Sequence, residues 1–154
     1  MTIRYMQKTT NLKIALAEDD EDDREFFQEV LMTIAPEATL KFYKNGLELV
    51  NGLSENIDDL PDIVFLDLNM PVMNGIQALE EIRSKEFFKK IPVIAIYSTS
   101  ALETDQQKTF RLGADAFLSK PNDYRDLKSL LQQVIETDWK NKGPEKLNFV
   151  ITPE

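Results

Sequence analysis

The sequence predicts an α/β protein built on a doubly wound, five-stranded parallel sheet. Five short apolar runs alternate along the chain with five amphipathic stretches, which is typical of consecutive strand–helix–strand units. The run at residues 63–66 is apolar throughout, as a parallel strand buried on both faces is. Because such crossovers are right-handed, the helices cover both faces of one sheet. The 154 residues correspond to about one domain.

Apolar periodicity and helix-breaking residues define the elements of the first half of the chain. Apolar residues recur at helical spacing from Phe27 to Ile34, and Pro36 ends that helix. The predicted order is strand 12–17, this helix, strand 39–43, helix 46–53 and strand 62–66.

The second half continues the alternation. Helix 75–84 carries Ile76, Leu79 and Ile82 on one side. The order after it is strand 92–97, helix 102–112 ended by Gly113, strand 114–118 and helix 123–137. We therefore expect a domain over residues 12–138, with an extension at 1–11 and a tail at 139–154.

The tail contains one further apolar alternation. Leu147, Phe149 and Ile151 predict a short strand with one half-buried face, and a disordered tail is the equal alternative. A strand of this kind pairs with an edge of its own sheet or of a neighbouring copy, which would allow self-association. The tail follows all the candidate site residues, so we expect it to be dispensable for their chemistry.

The composition of the chain excludes several classes of partner and of chemistry. The formal net charge is −9, which argues against a nucleic-acid partner and against docking to anionic lipid. The chain has no cysteine and no histidine, which excludes thiolate and Ser-His-Asp chemistry and leaves only oxygen ligands for a metal. No apolar run approaches a membrane span or a signal-peptide centre. We expect a soluble, cytoplasmic protein.

Polar residues follow four of the five predicted strands. They form an acidic pair, an acid, a hydroxyl cluster and an ammonium. The carboxyl ends of parallel strands meet at one edge of the sheet, where such folds bind ligands. Together these groups suit phosphoryl transfer to a carboxylate. In chain order they are Glu18 and Asp19, Asp67, Ser98 with Thr99 and Ser100, and Lys120 followed by Pro121.

Three of these carboxylates imply a cation. Two like charges about 4 Å apart repel by roughly 4 kcal/mol at an effective dielectric constant near 20, so three acids need a hard divalent ion. The rest of the acidic run, Glu21, Asp22 and Asp23, is typical of a solvated first helical turn. A calcium loop is disfavoured, because Arg24 stands where such a loop needs glycine.

Residues 12–137 resemble the response-regulator receiver domain of two-component signalling. The resemblance rests on Glu18-Asp19, on DLNMPVMNG at residues 67–75, on the hydroxyl after the fourth strand and on Lys120-Pro121. It implies the flavodoxin-like (βα)5 sheet with strand order 2-1-3-4-5. It also implies a stand-alone signalling module and not an enzyme, with a histidine kinase or a histidine phosphotransfer protein as donor and an unknown downstream protein as target.

The resemblance also implies roles for the metal and phosphoryl groups. Asp67 would be the phosphoacceptor. Asp19 would bind Mg²⁺, or Mn²⁺, directly, together with Asp67 and the backbone carbonyl of Asn69, whereas Glu18 would act through water. Lys120 would pair with the acid or with its phosphoryl group.

The resemblance also implies switch residues, which are the residues that change position when the acceptor is phosphorylated. Ser98 lies at the family's usual interval before Lys120 and would be the switch hydroxyl, with Thr99 as the alternative. Phe117 occupies the aromatic switch position, where many members have tyrosine. The bond before Pro121 is a candidate for the cis form, since X–Pro bonds tolerate it.

Other functions on this class of fold fit less well. A hydrolase that forms an aspartyl phosphate usually needs a second aspartate at the position of Asn69, and an amide cannot titrate. A flavin carrier would need a phosphate-binding loop after the first strand, where the acidic run repels phosphate. A receiver acting only as a scaffold is disfavoured, because the set of site residues is complete.

Overall fold

The computed structural model describes residues 12–140 and 148–154. These residues form one six-stranded parallel sheet of order β2-β1-β3-β4-β5-β6. The strands are β1 (Lys13–Ala17), β2 (Thr39–Tyr43), β3 (Ile63–Leu66), β4 (Val93–Ser98), β5 (Ala116–Ser119) and β6 (Val150–Ile151). The helices are α1 (Glu21–Ile34), α2 (Gly46–Glu55), α3 (Gly75–Ser84), α4 (Glu103–Arg111) and α5 (Tyr124–Glu136). Short 3-10 turns lie at Ile57–Asp59 and Glu86–Lys90.

Two apolar cores lie on opposite faces of the sheet. On one face, α1 and α5 cover alternate residues of the strands, and Phe27 packs edge-on against both Phe65 and Tyr97. On the other face, α2 and α3 cover the intervening strand residues. The strands β3 and β4 are buried at every position, because helices cover both of their faces. The central strands therefore deliver their last residues to the edge in fixed positions.

Side-chain caps fix where the helices begin. Asp20, Asn45 and Asp123 each accept hydrogen bonds from backbone N–H groups of the first turn. Asn74 and Gln77 form a reciprocal capping box at the start of α3. These four helices therefore begin directly after their capping residues.

The predicted fold class, the five strands and their order are confirmed. The boundaries of the first five strands and of the helices after β2 differ from the predicted ones by at most two residues. The helix before Pro36 ends at Ile34, as expected. The sheet has six strands, because the short tail strand, which the sequence leaves as an equal alternative to disorder, is present as β6 and joins the outer edge of β5.

The predicted single face of the tail strand is wrong. Phe149 packs with the α2–α3 core, whereas Ile151 packs with the α1–α5 core on the opposite side of the sheet. The reason is that β6 has only two residues and Phe149 lies in the turn before it, so the regular alternation of a strand does not extend to Phe149. The predicted extension at residues 1–11, and Leu147, lie outside the described residues.

The described helices do not include a membrane span. Within residues 12–140 and 148–154, no helix is both long enough and apolar enough to cross a bilayer.

Candidate functional site

The carboxyl edge of the sheet brings together the acids predicted to form the site. Glu18 follows β1 and Asp67 follows β3, and both side chains are almost fully buried. Asp19 is exposed beside them. The Asp67 N–H donates to the carbonyl of Ala17 over 3.1 Å. This bond continues the β1–β3 pairing one residue beyond the end of β3. Parallel strand geometry therefore sets the separation of the acids.

Lys120 is the cation of this cluster. It follows β5, and its ammonium forms an ion pair with Glu18. The same Nζ lies 3.3 Å from Asp67 Oδ2 and 3.1 Å from Asp23 Oδ2. One buried ammonium thus contacts three carboxylates, which leaves the site with excess negative charge.

The buried Glu18 carboxyl has a perturbed acidity. Burial raises the pKa of Glu18, and the Asp67 charge raises it further. Lys120 and the Asp20 N–H, which donates to Glu18 Oε2 over 3.2 Å, lower it in part. The net pKa is about 7, so Lys120 compensates only part of the cost of holding this group ionised.

The pKa of Lys120 is also raised, and for an ammonium this favours the charged form. Burial lowers the pKa of its ammonium, but Glu18, Asp67 and Asp23 raise it by more, so the pKa lies above its ordinary value. Lys120 therefore keeps its positive charge at neutral pH.

The loop after β3 fixes the position of Asp67. A Cβ on Gly75 would lie 2.1 Å from the carbonyl oxygen of Asp67, so only glycine allows the start of α3 to approach so closely. The Asn69 N–H donates to Asp67 Oδ1 over 3.3 Å. Val72 has a φ of 68° at the centre of a tight turn, closed by a 2.7 Å hydrogen bond from the Met73 N–H to the Pro71 carbonyl.

Three acids of the site can bind a metal ion. Glu18, Asp19 and Asp67 each offer a carboxylate oxygen, and these oxygens lie within 4.8 Å of one another. Hard divalent cations prefer such ligands, and a cation would offset the charge that Lys120 leaves uncompensated. The oxygen donors therefore fit a divalent metal.

The predicted switch residues lie on β4 and β5. Ser98 is fully buried at the end of β4, and its Oγ accepts a 3.3 Å hydrogen bond from the Ser100 N–H, whereas Thr99 is exposed. Phe117 is fully buried in β5. The structure thus favours Ser98 over Thr99 as the residue that faces the interior.

The expected cis bond before Pro121 is not present. The described residues contain no cis peptide bond, which agrees with the trans preference of about 0.5–1 kcal/mol for X–Pro bonds. The Lys120 N–H donates to the carbonyl of Ser98 over 2.8 Å, so β4 and β5 remain paired up to the start of this bond.

Asp23 is the site residue that the sequence analysis missed. It was interpreted as part of a solvated first turn, and it does lie in the first turn of α1. Its carboxylate also reaches Lys120. No local spacing indicates this contact, because it depends on how α1 lies over the sheet.

The chain matches the response regulator receiver domain over residues 14–132. The chain belongs to this family. The predicted family and the role in two-component signalling are thereby confirmed, and this family is a signalling module. The assignments of individual site residues stay predictions.

Two related proteins differ in how much of their length this chain matches. The response regulator Rcp1 of Synechocystis is 32% identical over 130 residues, which cover 82% of this chain and 87% of Rcp1. A hybrid signal transduction histidine kinase of Dictyostelium discoideum is 32% identical over 131 residues, which are 84% of this chain but only 4% of that kinase. The receiver therefore matches nearly all of one relative and a small part of the other.

Solved structures of two relatives share the fold. The Mn²⁺-bound form of Rcp1 superposes with a TM-score of 0.73 and 27% identity over 82% of this chain and 96% of that one. The phosphorylated cyanobacterial phytochrome response regulator RcpA gives a TM-score of 0.68 and 28% identity, covering 82% of this chain and 89% of that one.

Proposed function

We propose that Asp67 is the phosphoacceptor of this receiver. The proposal rests on the position of its buried carboxylate. This group lies next to the Lys120 ammonium, and one of its oxygens lies within 4.8 Å of a carboxylate oxygen of Glu18 and of Asp19. A carboxylate flanked by a fixed positive charge and a divalent-metal site is suited to attack phosphorus, because both cations stabilise the charge of the transferring group.

The metal proposed for the site is Mg²⁺, with Mn²⁺ as a substitute. Asp19 and Asp67 would bind it directly, together with the Asn69 carbonyl. Glu18 would act through water, because its oxygens already contact Lys120 and the Asp20 N–H, whereas the exposed Asp19 is accessible. When bound, the cation offsets carboxylate charge and polarises phosphoryl oxygens.

The phosphoryl donor proposed is a phosphohistidine of a histidine kinase or of a histidine phosphotransfer protein. A carboxylate oxygen of Asp67 forms the new P–O bond as the P–N bond to the histidine breaks, and the histidine nitrogen keeps the electron pair. Lys120 then pairs with a phosphoryl oxygen. This chain would supply no further substrate chemistry beyond transfer and its own dephosphorylation.

The switch proposed links Asp67 to a binding surface. Ser98 would donate its hydroxyl to a phosphoryl oxygen, and Phe117 would favour the buried position in the phosphorylated form. This is a shift between two conformations rather than a new fold. The output would be binding of another protein or onward transfer of the phosphoryl group in the cytoplasm. A nucleic-acid or anionic-lipid target is disfavoured, because the net charge is −9.

The test is phosphorylation by a small phosphodonor with and without Mg²⁺, measured as intact mass. We expect one phosphoryl adduct that requires Mg²⁺ and is lost in Asp67→Asn. The matched control is Asp115→Asn, an acid at the other end of the sheet, which should keep the adduct. An adduct of comparable yield in Asp67→Asn would contradict the proposal.

A further inference from the structure

The C-terminal strand β6 binds the edge of the same strand that carries the proposed switch residue. The Phe117 N–H donates to the Phe149 carbonyl over 2.9 Å. Phe117 pairs with Val150, and Leu118 pairs with Ile151. Without β6, these β5 groups would form an open sheet edge.

The same segment is tied to α5. The side-chain amide of Gln133 donates to the Thr152 carbonyl over 2.8 Å, and the Glu154 N–H donates to Ser129 Oγ over 2.9 Å. Residues 149–154 therefore contact both β5 and α5, and hold a defined place in this conformation.

Phe149 covers the switch position directly. Its ring is 3% exposed and lies edge-on to Phe110 of α4, with 5.2 Å between ring centroids. The Phe117 ring is 6.3 Å away and fully buried. Phe149 thus connects α4 with β5 and packs against Phe117 in its buried position.

The strand β5 joins this contact to the phosphoacceptor. Lys120 lies three residues after Phe117. Its ammonium is 3.3 Å from Asp67 Oδ2, and its backbone N–H donates a hydrogen bond to the Ser98 carbonyl. A displacement of β5 therefore acts on the Asp67 site at one end and on the β6 contact at the other.

We propose that β6 is an intramolecular latch that is coupled positively to phosphorylation of Asp67. Docked β6 favours the buried position of Phe117, which is the position that the phosphorylated form favours under the proposed function on which this inference rests. The tail is then not dispensable for the chemistry of the site, contrary to the expectation from the sequence. By thermodynamic reciprocity, phosphorylation then strengthens the docking of β6 by the same factor by which β6 strengthens the phosphorylated conformation.

The first test measures backbone hydrogen exchange in the full chain, with and without Mg²⁺ and beryllofluoride as a phosphoryl mimic. The amides of 116–119 and 150–151 should exchange more slowly by roughly fivefold or more when the mimic binds, the lower end of ordinary couplings between sites. Unchanged or faster exchange of these amides would overturn the latch.

The second test is the reciprocal effect on affinity. Phe149→Ala should weaken the binding of beryllofluoride with Mg²⁺ by roughly the same factor. Val150→Thr is the matched control: it keeps the β-branched shape at a partly exposed position of the same strand and should leave the affinity unchanged. Phe149→Leu, which retains an apolar side chain, keeps the test valid if the alanine variant unfolds. Equal affinities in all variants would contradict the coupling.

Three outcomes separate the alternatives. A wild-type chain that takes up no beryllofluoride contradicts the proposed function, and the coupling fails with it. Uptake without slowed exchange contradicts the latch alone. Protection of residues 150–151 that rises with protein concentration would show that β6 docks on a second copy, which overturns the intramolecular assignment.

Discussion

The two ends of the sheet hold ion clusters that differ in charge balance. At the amino end, Arg83 donates to Asp115 Oδ2 over 2.8 Å and to the Gly113 carbonyl over 2.8 Å, and Asp115 also accepts from the Ile94 N–H. This ion pair joins one guanidinium to one carboxylate. At the carboxyl end, one ammonium, Lys120, faces three carboxylates. The balanced cluster ties α3 to the sheet, whereas the unbalanced one leaves charge for a cation and a phosphoryl group to engage.

The largest effect should come from removing the cation that pairs with the carboxylates of each cluster, Lys120 or Arg83. Lys120→Met in a metal-free buffer should lower the free energy of unfolding by about 3–5 kcal/mol, because it leaves buried carboxylates unpaired. Added Mg²⁺ should restore part of this loss. Arg83→Met should also destabilise, without rescue by Mg²⁺. Urea denaturation measures the free energy of unfolding of both variants with and without Mg²⁺. Equal rescue of the two variants would contradict the proposed difference between the clusters.

Metal affinity should distinguish the two acids after β1. Asp19→Ala should weaken Mg²⁺ binding by about tenfold or more, and Glu18→Ala by less, because Asp19 is accessible and Glu18 is engaged by Lys120. Asp22→Ala is the control, an acid of the same run in the first turn of α1. Calorimetric titration that gives the reverse order would exchange the roles of Glu18 and Asp19.

The pH dependence of the free energy of unfolding should come from Glu18. Its pKa is raised from 4.5 to about 7 in the folded state, so between these values the folded chain holds a proton that the unfolded chain has released. The contribution of Glu18 to the free energy of unfolding is therefore present below pH 4.5 and is lost as the pH rises to 7, by at most about 1.4 kcal/mol per pH unit.

The Glu18→Gln variant isolates this contribution. In metal-free buffer, the stability of the wild type minus that of the variant should fall from pH 4.5 to pH 7, measured by urea denaturation. A difference that is flat or rises with pH would contradict the raised pKa of this carboxyl.

The strand ends of the site were predictable from the sequence, but the contacts across elements were not. Apolar runs bounded by acids located β1 and β3 to within a residue, and parallel geometry then placed Glu18 and Asp67 at one edge. The approach of Asp23 to Lys120 depends on how α1 lies over the sheet. The position of Phe149 depends on Phe110 of a separate helix, and no local periodicity encodes either contact.

Chemical trapping of the phosphorylated residue tests the central claim most directly. After reaction with a small phosphodonor and Mg²⁺, borohydride reduces an aspartyl phosphate to homoserine, and peptide mass spectrometry locates it. The proposed function predicts homoserine at position 67 alone. Trapping at Glu18, Asp19 or Asp23, or no trapped residue in a folded, Mg²⁺-saturated protein, would contradict the assignment of Asp67 as phosphoacceptor.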